Sequence, residues 1–438
     1  MTTLLASFDG TERCTTRLEE PDRDRALRRL LVQPGPLSIR GSGLSYSNAS
    51  AIDGGTTIST RFFDRILDFD PNGATIRVEA GLTIGALLRF VVERGLFFPV
   101  LPGHPQITVG GCAAFNTHGK TQHDVGHFSD HVAGLTLVHP DHDDIECGPD
   151  QFADIFLLTL GGMGLTGWIA DVTLRLQPLP GKSIRRRIRP VRNFHDAVVT
   201  MESLGSSGAQ LYSWNDANRR GRGFGRGVIC EETFRSGDNE ATARYRTLRP
   251  ERRGRLVPIP IWNRTTTSIA NRAWLALYRV RSDVVIPLLD AAFPMNGREG
   301  YFHLFGRRGF HEYQIVVPRD AWDDTVERVR RAIERVGACI TLSSLKLFRG
   351  DRHLLWFRGE GVCVTLDGPA TSSTRALFAE LNRLAVELGV PVNLAKDSRL
   401  RAAAVKQIFA GYENFRTRLA AFDPNRRFDS ALRRRIDV

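Results

Sequence analysis

The chain has 438 residues, 42% of them hydrophobic and 25% charged, which is enough to bury more than one sizeable core and unlike a disordered chain. Its net charge of +12 implies attraction to something anionic, whether nucleic acid, a membrane surface or a phosphorylated small molecule. No helix-turn-helix, zinc-finger spacing or RNP-like strand accompanies that charge, which sets nucleic acid aside. Six cysteines without CxxC spacing, an N-terminus without a leader pattern and the absence of any apolar run long enough for a spanning helix point to a cytoplasmic protein.

In chain order, PLSIRGSG, GGTTIST, ATIRVEAG, HVAGLTLVHPD and WIADVTLRLQPLP read as strands bounded by turn residues. Between them TIGALLRFVVERG, residues 83–95, carries helical apolar spacing with Gly95 as its C-cap. The basic run KSIRRRIRP, 182–190, reads as a solvated linker, and RRGRGFGRG, 219–227, as a loop. Beyond them HEYQIVVP (311–318) and GVCVTLDGP (361–369) predict strands, and 320–337 and 374–389 predict amphipathic helices. The order predicts an α+β protein with a first domain over 1–180 and a second α+β domain, built on an antiparallel sheet, over 181–389.

Gly162, Gly164 and Gly167 match GxGxxG, but WIADVTLRLQ follows with strand character rather than the helix a Rossmann turn requires, so nicotinamide binding is not expected. His123, His127 and His131 recur every four residues, yet the residues between them are poor helix formers, and no metal site is assigned. More informative is the stretch LPGHPQITVGGCAAFNTHGK, 101–120, whose glycines and small residues suit a backbone cradle for a phosphorylated ligand. It closes on Lys120, one of only five lysines among 60 basic residues. A position that keeps lysine keeps a compact ammonium able to lose its proton, which guanidinium cannot do.

Five segments, RGSGLSYSNAS (40–50), LPGHPQITVGG (101–111), NTHGK (116–120), GGMGLTG (161–167) and FDPNRRFDSALRRR (422–435), together resemble the FAD-binding oxidoreductases of the vanillyl-alcohol oxidase and p-cresol methylhydroxylase superfamily, and within it the sugar-oxidising members. The resemblance implies a two-subdomain FAD-binding domain of the p-cresol methylhydroxylase type, a substrate-binding cap over 181–389 and a C-terminal segment, 390–438, returning to the flavin. It implies FAD contacts from Arg40, Gly41, Ser42, Gly43, Leu44, Ser45, Tyr46, Ser47 and Asn48, from Gly103, Thr108, Val109, Gly110 and Gly111, and from Phe115, Asn116, Thr117, His118, Gly164, Ile169 and Asn393. Successive backbone N–H groups in the turns at 40–49 and 108–111 would form an anion nest for the pyrophosphate. Where many members attach FAD covalently, the first glycine motif here offers Leu44 and Ser45, so non-covalent FAD is expected.

For catalysis the resemblance places Lys396, in NLAKDSR, against the flavin as a desolvated general base or hydroxyl orienter, with His118, Gln314 and Tyr46 around the substrate. The implied reaction is oxidation of a secondary hydroxyl of a sugar, nucleoside or glycolipid, with a partner reductase completing an epimerisation as one possibility. An aldonolactone or polyol oxidase and a non-catalytic flavin-binding subunit stay open. So does a peripheral membrane contact through the basic, aromatic segment 255–281. Around Lys346, Ser343 and Leu345 stand where the sugar-oxidising relatives have asparagine and cysteine, and 293–306 lacks their tyrosine–histidine pair, which changes the expected pocket walls.

Overall fold

The computed structural model describes residues 2–205, 209–235 and 259–438, so four residues of the basic, aromatic segment, 255–258, lie outside it. Three main sheets form the scaffold. A four-stranded sheet runs in the order Thr2–Ala6, Arg13–Glu19, Thr56–Ser59, Leu37–Arg40, and is antiparallel at its first pair and parallel thereafter. An antiparallel five-stranded sheet follows the order Ile66–Asp70, Thr75–Glu79, Trp168–Arg175, Val132–Val138, Ile145–Cys147. The GxGxxG glycines thus lead into a strand, as their flanks imply. Packed on this sheet, the helix Ile84–Glu93 is capped by the Thr83 hydroxyl, and Gly95 follows in the left-handed region at φ +75°.

The third sheet has seven antiparallel strands, in the order Asp283–Pro287, Ser183–Val191, Arg226–Arg235, Gln210–Asp216, Leu342–Phe348, Gly361–Pro369, Phe310–Val317. One of its faces carries Leu211, Ile229, Tyr313, Ile315, Leu345, Val364 and Leu366, and joins the helices Phe194–Leu204, Trp322–Val336 and Ser372–Leu388 in one core. The other face is mixed, with Glu232, Glu312, Gln314, Lys346 and Asp367 beside apolar clusters around Val228 and Val316. Every residue of Phe310–Val317 is buried, because both faces of the strand are covered.

The run 182–190 is not a linker. It forms a nine-residue strand inside this sheet, because its arginines face acids on the neighbouring strands: Arg185 pairs with Asp283 and Arg186 with Glu232, each at 2.6 Å, and Arg189 with Glu231, also at 2.6 Å. Ile184 and Ile188 are buried between them. Charge alone reads as solvation, whereas charge with cross-strand partners reads as a sheet. The chain ends against the first sheet, where Leu37 N–H donates to Arg427 O and Asp429 N–H to Leu37 O. Among the described residues no helix is long and apolar enough to cross a membrane.

Candidate active site

A cleft of about 350 Å³, within the usual range for small-molecule sites, is lined by the glycine segments and by the mixed face of the seven-stranded sheet. Its residues include Gly41 through Tyr46, Gly103, Thr108, Gly110, Gly111, Phe115, Thr117, Gly164 and Ile169 from one part of the chain. Met295, Tyr301, Phe302, Glu312, Leu342, Asp367, Ala395 and Lys396 come from the other.

The first glycine loop is a set of bare donors. Among the described residues, none of the five consecutive amides from Gly41 to Ser45 donates a hydrogen bond within the chain. The backbone turns at Gly43 in the left-handed region, φ +65°, a conformation that favours glycine. The second segment differs from the expected turn. Val109–Phe115 is a short helix capped by the Thr108 hydroxyl, and the amides of Val109, Gly110 and Gly111 are spent on Leu82 O, Ala80 O and Thr108 Oγ1. Open donors therefore sit at 41–45 and not at 109–111.

Lys396 lies in a loop sewn to the first glycine motif. Ala395 O accepts from Tyr46 N–H at 2.9 Å and from the Ser45 hydroxyl at 3.0 Å, while Leu394 O accepts from the Ser47 hydroxyl. Gln314 and Asn393 support this loop from beneath. Asn393 Nδ2 donates to Gln314 Oε1 at 2.6 Å, Gln314 Nε2 donates to Thr365 Oγ1 at 2.9 Å, and Lys396 N–H donates to Asn393 O. Neither residue lines the cleft, and at 3% exposure Gln314 is not a solvent-facing strand residue.

The Lys396 ammonium is not the isolated, desolvated amine expected of it. Nζ sits 3.4 Å from Glu312 Oε1 and 3.8 Å from the centre of the Tyr46 ring, so it is a paired cation on an aromatic face. Tyr46 stacks on Phe8 at 5.2 Å and meets Phe310 edge-on, and burial raises its hydroxyl well above the usual phenol range. Glu312 and Asp367, both line the cleft, stand directly opposite each other across adjacent strands. Burial first, and the Glu312 charge second, hold Asp367 well above the usual carboxylate range.

Several expected contacts lie off the cleft wall: Arg40, Ser47, Asn48, Val109, Asn116, His118, Gln314 and Asn393. Asn48 is buried, its side chain donating to Cys14 Sγ and its backbone N–H to Glu12 Oε2, and Asn116 closes the short helix in the left-handed region while accepting from Ser129 N–H. His118 is enclosed by His127, Phe348 and Phe357, and burial, with Lys346 nearby, pushes its imidazole well below the usual range, so it is neutral. Lys120 is also away from the cleft, locked to Glu232 at 3.0 Å and to Ala291 O, over the Tyr212 ring. Ser343 and Leu345 face the helix-packed core, so the pocket wall on that strand is Leu342. The segment 293–306 does contribute a tyrosine, Tyr301. The three periodic histidines are used separately: His127 Nε2 meets Phe357 O, His131 Nε2 meets Val125 O, and His123 lies beside Asp124.

Sequence reasoning missed Glu312, Asp367, Tyr301 and Met295, all on the cleft wall. Only the first left a local signal, since Glu312 and Gln314 share a strand face by their spacing of two.

Residues 22–148 match the FAD binding domain family. The chain is 28% identical to decaprenylphosphoryl-beta-D-ribose oxidase of Mycolicibacterium smegmatis over 94% of its own length and 92% of that protein's. Both findings agree with the resemblance of the sequence motifs to the FAD-binding oxidoreductases of the vanillyl-alcohol oxidase and p-cresol methylhydroxylase superfamily. Probable L-gulonolactone oxidase 6 of Arabidopsis thaliana is 29% identical over 36% of this chain and 27% of its own. D-lactate dehydrogenase of Anaerostipes hadrus is 29% identical over 35% of this chain and 33% of its own. These relatives make this FAD-dependent oxidoreductase a flavoprotein, and the cleft fits the cofactor. The five open amides at 41–45 are the donors an anionic diphosphate needs, and the rest of the wall is mostly apolar.

Proposed function

We propose that this flavoenzyme oxidises a secondary hydroxyl of a sugar or sugar-containing substrate to a ketone, with FAD held non-covalently. The observation that carries this reading is the Lys396 ammonium at the cleft wall, flanked by the Tyr46 ring and the Glu312 carboxylate. We divide the chain accordingly into an FAD-binding part, 1–180, a cap, 181–389, and a returning segment, 390–438. The attachment of the Lys396 loop to Tyr46 and Ser47 supports this division, because it brings the last segment to the first glycine motif. Non-covalent attachment is supported by Cys112 and His118, which both lie off the cleft wall, the Cys112 thiol being pushed up to about 12 by burial.

Bound FAD supplies the two-electron acceptor for the carbinol hydrogen. The chain's part is to bind, orient and protect. The amides of Gly41 through Ser45 hold the diphosphate, and Lys396 donates a hydrogen bond to the carbinol oxygen and fixes its direction. Gln314 and Asn393 act one layer back, keeping the lysine loop in place. Phe8, Met295, Phe302 and Leu342 line the same cleft and exclude water from the reacting carbon. The decaprenylphosphoryl-beta-D-ribose oxidase likeness supports a sugar-phosphate or glycolipid substrate whose ketone a separate reductase would return to an alcohol. The gulonolactone oxidase likeness supports the second reading, an aldonolactone or polyol.

Acid precipitation tests the cofactor: released flavin absorbance is expected, and colour kept in the pellet would mean a covalent bond. Lys396→Ala is expected to keep FAD and lose substrate-dependent flavin bleaching. Full bleaching in that variant would remove Lys396 from the mechanism.

A further inference from the structure

Glu312 and Asp367 face each other across the antiparallel pair formed by Phe310–Val317 and Gly361–Pro369, at 5% and 3% exposure. Side chains directly opposite on such a pair have Cβ atoms about 4.5–5.5 Å apart, and like charges there repel. Two ionised carboxylates at that spacing, out of water, would be strongly destabilising. Each has only part of its hydrogen-bonding capacity met. Glu312 receives Lys396, and Asp367 Oδ2 accepts from the Tyr301 hydroxyl at 3.2 Å, which also meets Thr341 Oγ1 at 2.7 Å. Asp367 Oδ1 is buried with no donor among the described residues. A proton between the two carboxyls relieves the repulsion and the missing donor together.

We propose that Glu312 and Asp367 share one proton at neutral pH and that the Glu312 carboxylate, not the Lys396 amine, takes up the hydroxyl proton of the substrate. The proposal rests on the alcohol-oxidation reading above. In the step, the substrate O–H bond breaks with its proton passing to Glu312. The adjoining C–H bond breaks with its electron pair leaving to FAD, and the C=O bond forms. Lys396 stays charged throughout, held between Glu312 and the Tyr46 ring, and stabilises the oxygen as it loses its proton. Asp367 is a positioning residue, because it keeps the Glu312 carboxylate aimed at the cleft through the shared proton.

The surroundings agree. Lys396 and Tyr46 face the pair from the lysine loop and the first glycine motif, and Tyr301 from the helix Gly300–His303. Asp9 adds negative charge beside Tyr46, while Lys346, on the neighbouring strand Leu342–Phe348, feels Glu312 and is brought down to about 8, chiefly by burial. Burial and the Glu312 charge hold the Asp367 carboxyl well above its usual range, and burial likewise raises the Tyr46 and Tyr301 hydroxyls.

Two measurements on FAD-loaded protein test the proposal. Infrared difference spectroscopy at neutral pH is expected to show the C=O band of one buried protonated carboxyl that Asp367→Asn removes. No such band, or a band unchanged in Asp367→Asn, would overturn proton sharing without using any substrate. In rapid mixing with a panel of sugars, aldonolactones and polyols, Glu312→Gln is expected to slow flavin reduction by about 10²–10⁴-fold while keeping its flavin absorbance. The loss in Asp367→Asn is expected to be smaller than that in Glu312→Gln. Flavin reduction at the wild-type rate in Glu312→Gln, with none in Lys396→Met, would return the base to the lysine and sink the proposal. If no member of the panel reduces the wild-type flavin, it is the alcohol-oxidation reading that falls, and the infrared result alone decides the shared proton.

Discussion

Two lysine–carboxylate clusters sit on the same face of the seven-stranded sheet, and they differ in how completely their buried carboxylates are satisfied. In one, Glu232 is fully buried and receives Lys120 at 3.0 Å, Arg186 at 2.6 Å and the Tyr212 hydroxyl at 3.3 Å. In the other, Glu312 faces a second carboxylate and one lysine, and Asp367 keeps a buried oxygen without a donor. The first lies off the cleft and the second lines it. A fully paired buried charge network fixes structure, whereas an incompletely paired one costs stability and is retained where it serves chemistry.

The largest expected effect comes from breaking the satisfied cluster. Glu232→Gln leaves Lys120 and Arg186 buried without an anion and should cost about 3–5 kcal/mol in denaturant unfolding. A loss below about 1 kcal/mol would show that the cluster is not the structural one. The second effect has the opposite sign. Asp367 has its pKa raised on folding, so between the unfolded carboxyl value, about 4, and the folded one, the native state holds a proton that the unfolded state has lost. That linkage lowers stability as pH rises through the window. Asp367→Asn should therefore stabilise the protein at neutral pH by about 0.5–2 kcal/mol, with the gain shrinking toward pH 4, measured as unfolding midpoints across pH. Destabilisation at neutral pH would place Asp367 with the structural cluster. The smallest effect is expected from Tyr46→Phe, which keeps the ring under Lys396. Flavin reduction should change by less than about threefold, since the aromatic face carries the interaction, and a loss above tenfold would assign the hydroxyl a role in the chemistry.

Much of the scaffold is legible in the chain. Alternation in HEYQIVVP and GVCVTLDGP reads correctly as strands, the spacing in TIGALLRFVVERG as a helix, and the strand after GGMGLTG argues against a Rossmann turn. The run KSIRRRIRP misleads, because its partners Asp283, Glu231 and Glu232 lie more than forty residues away in sequence. The site is readable only in part. Glycines mark the cradle at 41–45, since local backbone geometry demands them, but the same signal at 108–111 belongs to a helix whose amides are already spent. Lys120 and His118 stand out in the chain and prove to be enclosed away from the cleft, whereas Glu312 and Asp367 look ordinary and line it.

By itself, then, the sequence determined what short-range rules control: the periods of strands and helices, and the turns that favour glycine. The tertiary structure decided which charges meet. Opposing Glu312 to Asp367 takes a strand pairing across more than fifty residues, and seating Lys396 between Glu312 and Tyr46 takes a loop tied back to the first glycine motif. Electrostatic energy depends on distances in space and on burial, and neither is encoded in the local spacing of residues.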